Sequence, residues 1–125
     1  MAHAILGPSG SGTWLSCPAS IRMCRDLPRE VESVYALEGT QFHTLCEVEA
    51  RYRLLGGSAQ EYLDGLLEWS LGTEVAWHED QFRYVQDWLQ FLDDAMQDDP
   101  DAIVLLEQRV DTGIPGCWGT ADAVI

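Results

Sequence analysis

The chain has 125 residues, with 21 acidic residues against seven arginines and no lysine, giving a formal net charge of −14. Phosphate binding draws on Lys and Arg, so this balance excludes direct DNA binding as an expectation, disfavours an anionic membrane surface, and suits a basic protein partner. The length fits one domain or part of one, and 46% hydrophobic residues with five Trp supply a core in which most of the Trp should be buried or half-buried.

Met1-Ala2-His3-Ala4-Ile5-Leu6 is too short, and lacks the basic start, for a signal peptide. Gly7 to Thr13 is a turn-forming segment. Ser11 or Thr13 could cap a short helix through Trp14, Leu15 and Ile21, with Pro18 close enough to its start to be tolerated. Residues 25–33, with Pro28, read as an exposed loop. The next helix begins near Ser33 or Thr40 and runs to Leu55. Phe42, Leu45, Cys46, Glu49 and Tyr52 trace its spacing, and Gly56-Gly57 stops it. Ser58 with Glu61 forms a capping-box pattern. It opens a helix carrying Tyr62, Leu63, Leu66, Leu67 and Trp69 that ends at Gly72. A further helix spans roughly His78 to Gln97, with Phe82, Val85, Leu89, Leu92 and Met96 on its apolar face.

The end of that helix carries Asp93, Asp94, Asp98, Asp99 and Asp101. Acid there opposes the helix macrodipole. A solvated helix end explains it, and so does a surface for a basic partner. The period then changes. Ala102 to Val110 is β-rich, Asp111-Thr112-Gly113 and Pro115-Gly116 mark a turn, and Cys117 to Ile125 is a second strand. The expected architecture is therefore α+β: helices over 10–97 packed on a C-terminal β-hairpin over 102–125, in one domain. No cysteine pair has CxxC spacing, which excludes a zinc ribbon, and reduced thiols in a cytoplasmic setting are expected. No apolar run approaches a membrane span.

Four positions could carry chemistry. His43 lies one turn before Glu47 on a helix, so it is either a candidate metal ligand or simply paired with that glutamate. Asp122 sits between apolar residues on the last strand, where an inward-pointing carboxylate needs hydrogen bonds or a metal; strand alternation places it with Thr120 and Val124. Glu107 occupies the middle of the first strand, where it could pair with Arg109. Cys17, before Pro18, is either a somewhat acidic helix-start thiol or a small buried residue.

In order, these segments resemble the front of a RecB-like PD-(D/E)XK nuclease. Ser9 to Ser20 is similar to the family's "Ser…Trp/Tyr-x-x-Cys-Pro" opening. Glu38-Gly39-Thr40-x-x-His43 is similar to its "Gly-Thr-x-x-His" helix. Leu106-Glu107-x-x-Val110 and Gly119-Thr120-Ala121-Asp122 resemble its "Glu-x-x…Gly-x-x-Asp" strand pair. Phage- and prophage-encoded members share the Met-Ala-His-Ala start and the Gly-Thr-Ala-Asp-Ala-Val-Ile strand. The resemblance implies the front part of a restriction-endonuclease-like fold, with His43 and Asp122 as ligands of Mg or Mn and Glu107 as a supporting acidic residue. It also implies a following strand with Asp/Glu-x-Lys, which is not in this sequence, so the nuclease domain is expected to be incomplete and this chain alone inactive, with no cofactor expected for it. In some relatives a cysteine at the Cys17 position joins three late cysteines around an iron–sulfur cluster. Those late cysteines are missing here.

Two functions follow as expectations. The first is a nuclease-derived phage protein of a metal-dependent DNA-processing family, acting in the cytoplasm of a bacterial host. The second is an acidic DNA mimic that fills the DNA groove of a host defence complex, as anti-CRISPR proteins do, with Asp93 to Asp101 standing in for phosphates.

Overall fold

The computed structural model describes residues 4–28, 31, 33–73 and 76–125. It is α+β, as expected, with five helices followed by a two-stranded antiparallel hairpin. After a 3-10 turn at Pro8–Gly10 come α1 (Ser11–Ser16), α2 (Ser20–Cys24), α3 (Val34–Arg53), α4 (Ala59–Gly72), α5 (Glu79–Asp98), β1 (Leu105–Asp111) and β2 (Trp118–Val124). Cα packing divides the chain into two compact units. One is Met1–Val31 with Glu107–Ala121, and the other is Glu32–Leu106 with Asp122–Ile125.

The second unit holds the main core. Leu45, Cys46 and Ala50 of α3 meet Val85, Leu89 and Leu92 of α5, with Leu66, Trp69 and Trp77 packed around them. These are the apolar stripes read from the sequence. Val104, Leu106 and Ala123 also lie against this cluster, so the root of the hairpin packs on the helices. Tyr52 leaves the stripe: it is exposed and stacks on Tyr62, ring centroids 4.3 Å apart.

Local chemistry sets the helix limits. Ser33 caps α3, its hydroxyl accepting from the Ala36 N–H at 3.2 Å, which settles the start at Ser33 rather than Thr40. At the other end Gly56 takes φ +72°, and the Gly57 N–H bonds the Arg51 carbonyl at 2.8 Å. A Cβ on Gly57 would lie 2.9 Å from that carbonyl oxygen, so the close return of the chain requires glycine. The expected capping box opens α4: the Glu61 N–H donates to Ser58 Oγ, and the Ser58 N–H donates to Glu61 Oε2. These bonds hold the Glu61 carboxyl below its ordinary range. Gly65 lets α4 approach α3, since a Cβ there would be 3.0 Å from Val48 Cγ2.

The first unit differs from the sequence reading. The single helix expected through Trp14 and Ile21 is two short helices. Pro18 disfavours helical geometry in the residue before it, and Cys17 takes φ −139°, ψ 86°. Neither Ser11 nor Thr13 acts as the cap; the N-cap is Gly10, without a side-chain bond. The Trp14 indole instead ties the segment back to the Gly7 carbonyl at 3.0 Å. The hairpin turn also falls in this unit, with Gly113 and Gly116 both at positive φ. The Leu6 N–H bonds the Gly116 carbonyl at 2.9 Å, and Cys117 is buried. The expected loop at 25–33 is exposed where described, at residues 25–28, 31 and 33; its other positions lie outside the described residues. Strand β1 begins at Leu105 rather than Ala102, because the Ala102 N–H is still engaged in a turn to the Asp99 carbonyl. Strand β2 runs from Trp118 to Val124, one residue shorter at each end than expected.

Candidate metal centre

His43 stands on the exposed side of α3, next to the buried face formed by Gln41, Leu45 and Cys46. Asp122 is near the end of β2. Strand alternation places Ala121 and Ala123 half-buried and Thr120, Asp122 and Val124 exposed, as the pattern predicts. Ala123 packs on the α3–α5 core and holds this end of the strand against the helices. The result is direct contact between positions 79 residues apart: His43 Nδ1 lies 2.8 Å from Asp122 Oδ1.

The contact corrects two expectations. Asp122 does not point inward; its side chain is 55% exposed and that of His43 is 51% exposed. Nor does His43 pair with Glu47, because Arg51 takes that carboxylate, Nη2 to Oε1 at 2.6 Å. An (i, i+4) guanidinium gives the glutamate a charged partner on its own helix.

Behind the pair, one turn along α3, lies the buried thiol of Cys46. Its pKa is pushed up to about 12, by burial first and then by the carboxylates of Asp122 and Glu49. It is therefore a thiol at neutral pH, not a nucleophile or a thiolate ligand. Glu49, buried beside it, is bound from both sides. The Tyr62 hydroxyl donates to Oε1 at 2.8 Å, and Arg53 Nε stands 2.5 Å from Oε2 as its counter-charge. Burial, and then the bond to Glu49, raise the Tyr62 hydroxyl above its ordinary value. The sequence reading placed Glu49 on the apolar face without explaining it. The signal was present in Arg53, four residues on. Tyr62 belongs to the next helix and could not be assigned from spacing.

Glu107 is exposed in mid-β1 with φ 49°, a left-handed conformation that interrupts strand alternation. Arg109, its expected partner, lays its guanidinium over the Trp118 ring at 4.1 Å. Cys17 is exposed rather than a small buried residue, because it falls in the break between α1 and α2, and all four cysteines are free thiols. At the end of α5, Asp94 accepts from Gln90 at 2.8 Å, Asp93 accepts from Gln97 at 2.7 Å, and Asp99 accepts the Asp101 N–H at 3.1 Å. Asp98 is exposed, and the last turn contains no basic residue. Among the described residues no helix is long and apolar enough to cross a membrane.

Fold and site thus define an α+β protein with a solvent-facing imidazole–carboxylate pair bridging its third helix and last strand. The chain belongs to DUF2800, a family described as protein of unknown function, whose model matches residues 3–125. No solved structure matches the chain.

Proposed function

We propose that His43 and Asp122 are one edge of a divalent-cation site of the RecB-like PD-(D/E)XK type, in a phage-type DNA-processing protein. The observation that carries this reading is their 2.8 Å approach across 79 residues. Two ligands on adjacent corners of an octahedral Mg²⁺, each at 2.0–2.1 Å, stand about 3 Å apart, so the separation fits a shared ion. The carboxylate oxygen suits Mg or Mn, and of the two Mn takes the imidazole nitrogen more readily. Such an ion would polarise a phosphoryl oxygen and lower the pKa of bound water. The protein's own contribution is to hold the two donors together, and the resemblance gives Glu107 a supporting acidic role. The family's catalytic Lys is missing from a chain that contains no lysine, so the chain alone does not cleave DNA.

The test exploits the imidazole. As a hydrogen-bond donor to Asp122, Nδ1 carries a proton; as a ligand, it cannot. Titrating ¹⁵N-histidine-labelled protein with Mg²⁺ should move His43 from the Nδ1–H to the Nε2–H tautomer. Retention of Nδ1–H at saturating Mg²⁺ refutes direct ligation by this nitrogen. Incubation with Mn²⁺ and linear or plasmid DNA should give no cleavage, and cleavage abolished by Asp122→Ala would show that the missing lysine is dispensable.

A second reading is favoured by the −14 charge. The chain would be an acidic inhibitor seated in the basic DNA groove of a host defence complex, with Asp93, Asp94, Asp98, Asp99 and Asp101 facing the partner. Capture of such a complex should weaken steeply with salt. Salt-independent capture, or none, rejects it.

A further inference from the structure

Helix α4 contains no buried residue. Leu66, Trp69 and Tyr62 form its inward side, yet Leu63, Leu67 and Leu71 repeat every four residues on another side and are 59%, 59% and 79% exposed. Repetition at i, i+4 and i+8 makes a continuous apolar ridge along the helix. A row of three exposed leucines on a 14-residue helix is not the scattered surface apolarity of an ordinary soluble protein.

The border of this ridge identifies what covers it. On one side lie Gln60, Asp64 and Glu68, also spaced by four. Asp64 accepts a hydrogen bond from Gln60 at 2.9 Å, and Glu68 has no hydrogen-bond or ion-pair partner among the described residues. The helix carries no basic residue, so nothing on it neutralises this acidic row. Beyond Glu68 opens a cleft of about 640 Å³ between α3 and α4, lined by Glu47, Glu61, Val48, Tyr52 and Tyr62. Its one guanidinium, Arg51, is already engaged by Glu47. The surface thus runs from an apolar ridge through a carboxylate row into an acidic, aromatic cleft. A second copy of the chain would bring another −14 charges against it.

We propose that the outer face of α4 is the docking site for a basic amphipathic helix of a partner protein. The partner lays apolar side chains along Leu63, Leu67 and Leu71. Its Lys or Arg side chains fall over Asp64 and Glu68, the longer ones reaching into the cleft. Burial of the leucine ridge supplies most of the affinity, and the carboxylate row fixes orientation and rejects acidic helices.

The experiment uses the 125-residue chain and two synthetic 18-residue amphipathic helices of Leu with Lys or Leu with Glu, measured by fluorescence anisotropy. The Leu/Lys peptide should bind and the Leu/Glu peptide should not. Leu67→Ser with Leu71→Ser, which changes no charge, should weaken binding at least tenfold while leaving the helical circular dichroism unchanged. Asp64→Lys with Glu68→Lys should reverse the preference toward the Leu/Glu peptide. Equal binding of the Leu/Lys peptide by the leucine variant would reduce the effect to bulk charge and overturn the proposal. So would a wild-type dimer in sedimentation that the leucine substitutions dissolve, because the occupant would then be a second copy. These readouts do not involve His43 or Asp122, so they stand or fall apart from the metal reading.

Discussion

Replacing Asp122 by Asn separates an ion site from a merely structural contact. The substitution keeps the shape of the side chain and an acceptor oxygen for His43, and removes only the charge. Both partners are about half exposed, and water screens such a pair, so its contribution to stability is within about 1 kcal/mol. At ~2.1 cal/mol/K per residue, the unfolding entropy of a chain this long is ~0.26 kcal/mol/K, so Tm should fall by less than about 4 °C. The effect on an ion is of another size. Loss of a charged ligand should exceed the 10–100-fold cost of losing a group that only orients one. Mn²⁺ affinity read by electron paramagnetic resonance should therefore fall by more than about tenfold while calorimetry reports a nearly unchanged transition. Cys46 supplies an internal check. Burial is the first cause of its raised pKa, so the thiol should stay protonated at neutral pH in the variant. A drop in Tm beyond about 10 °C would make the pair part of the fold, and unchanged Mn²⁺ affinity would remove it from the ion site. Either result refutes the reasoning.

Other consequences follow from the packing. Leu92 is 2% exposed at the α3–α5 contact, so Leu92→Ala should cost about 2–5 kcal/mol in urea denaturation. A loss below 1 kcal/mol would mean that this core is not tightly packed. Ser58→Ala should cost about 1 kcal/mol through loss of the α4 cap. The Glu61 carboxyl is held below its ordinary 4.5 by bonds from Ser58. That stabilisation is present above pH 4.5 and is lost as pH falls through the lowered value, so the Ser58→Ala variant should show a shallower acid-side slope in its Tm–pH profile. Cys17 and Cys24 are exposed while Cys46 and Cys117 are buried. Ellman's reagent should titrate two thiols in native protein and four in denaturant.

The parts of the fold legible in the sequence were those written in local patterns. Ser33, the Ser58–Glu61 box and Gly56-Gly57 mark helix limits by hydrogen bonds within a few residues. The Val85–Leu89–Leu92 stripe reports burial through the helical period. The first unit was harder to read, because its residues satisfy one another over longer spans. Trp14 reaches Gly7, Leu6 reaches the hairpin turn at Gly116, and Arg109 covers Trp118. No spacing rule anticipates these contacts. Motif order singled out positions 43 and 122, but alternation gave only the side of the strand, and the apolar flanks of Asp122 suggested burial. Thr120, Asp122 and Val124 share the open side, and Ala123, between the last two, makes the core contact.

The acidity that argues against DNA also shapes how an ion site must be demonstrated. With 21 carboxylates, diffuse attraction would gather divalent cations at many places, and affinity alone would count them all. The aspartates at the end of α5 provide the control. Asp93→Asn with Asp94→Asn removes two charges from a cluster containing no imidazole, whereas Asp122→Asn removes one charge beside a nitrogen donor. Diffuse attraction predicts the larger loss for the double variant, since it depends on charge removed. A chelate predicts the larger loss for the single one. It alone also links that loss to the protonation of one ring nitrogen, because His43 Nδ1 cannot hold a proton for Asp122 and a metal ion at once.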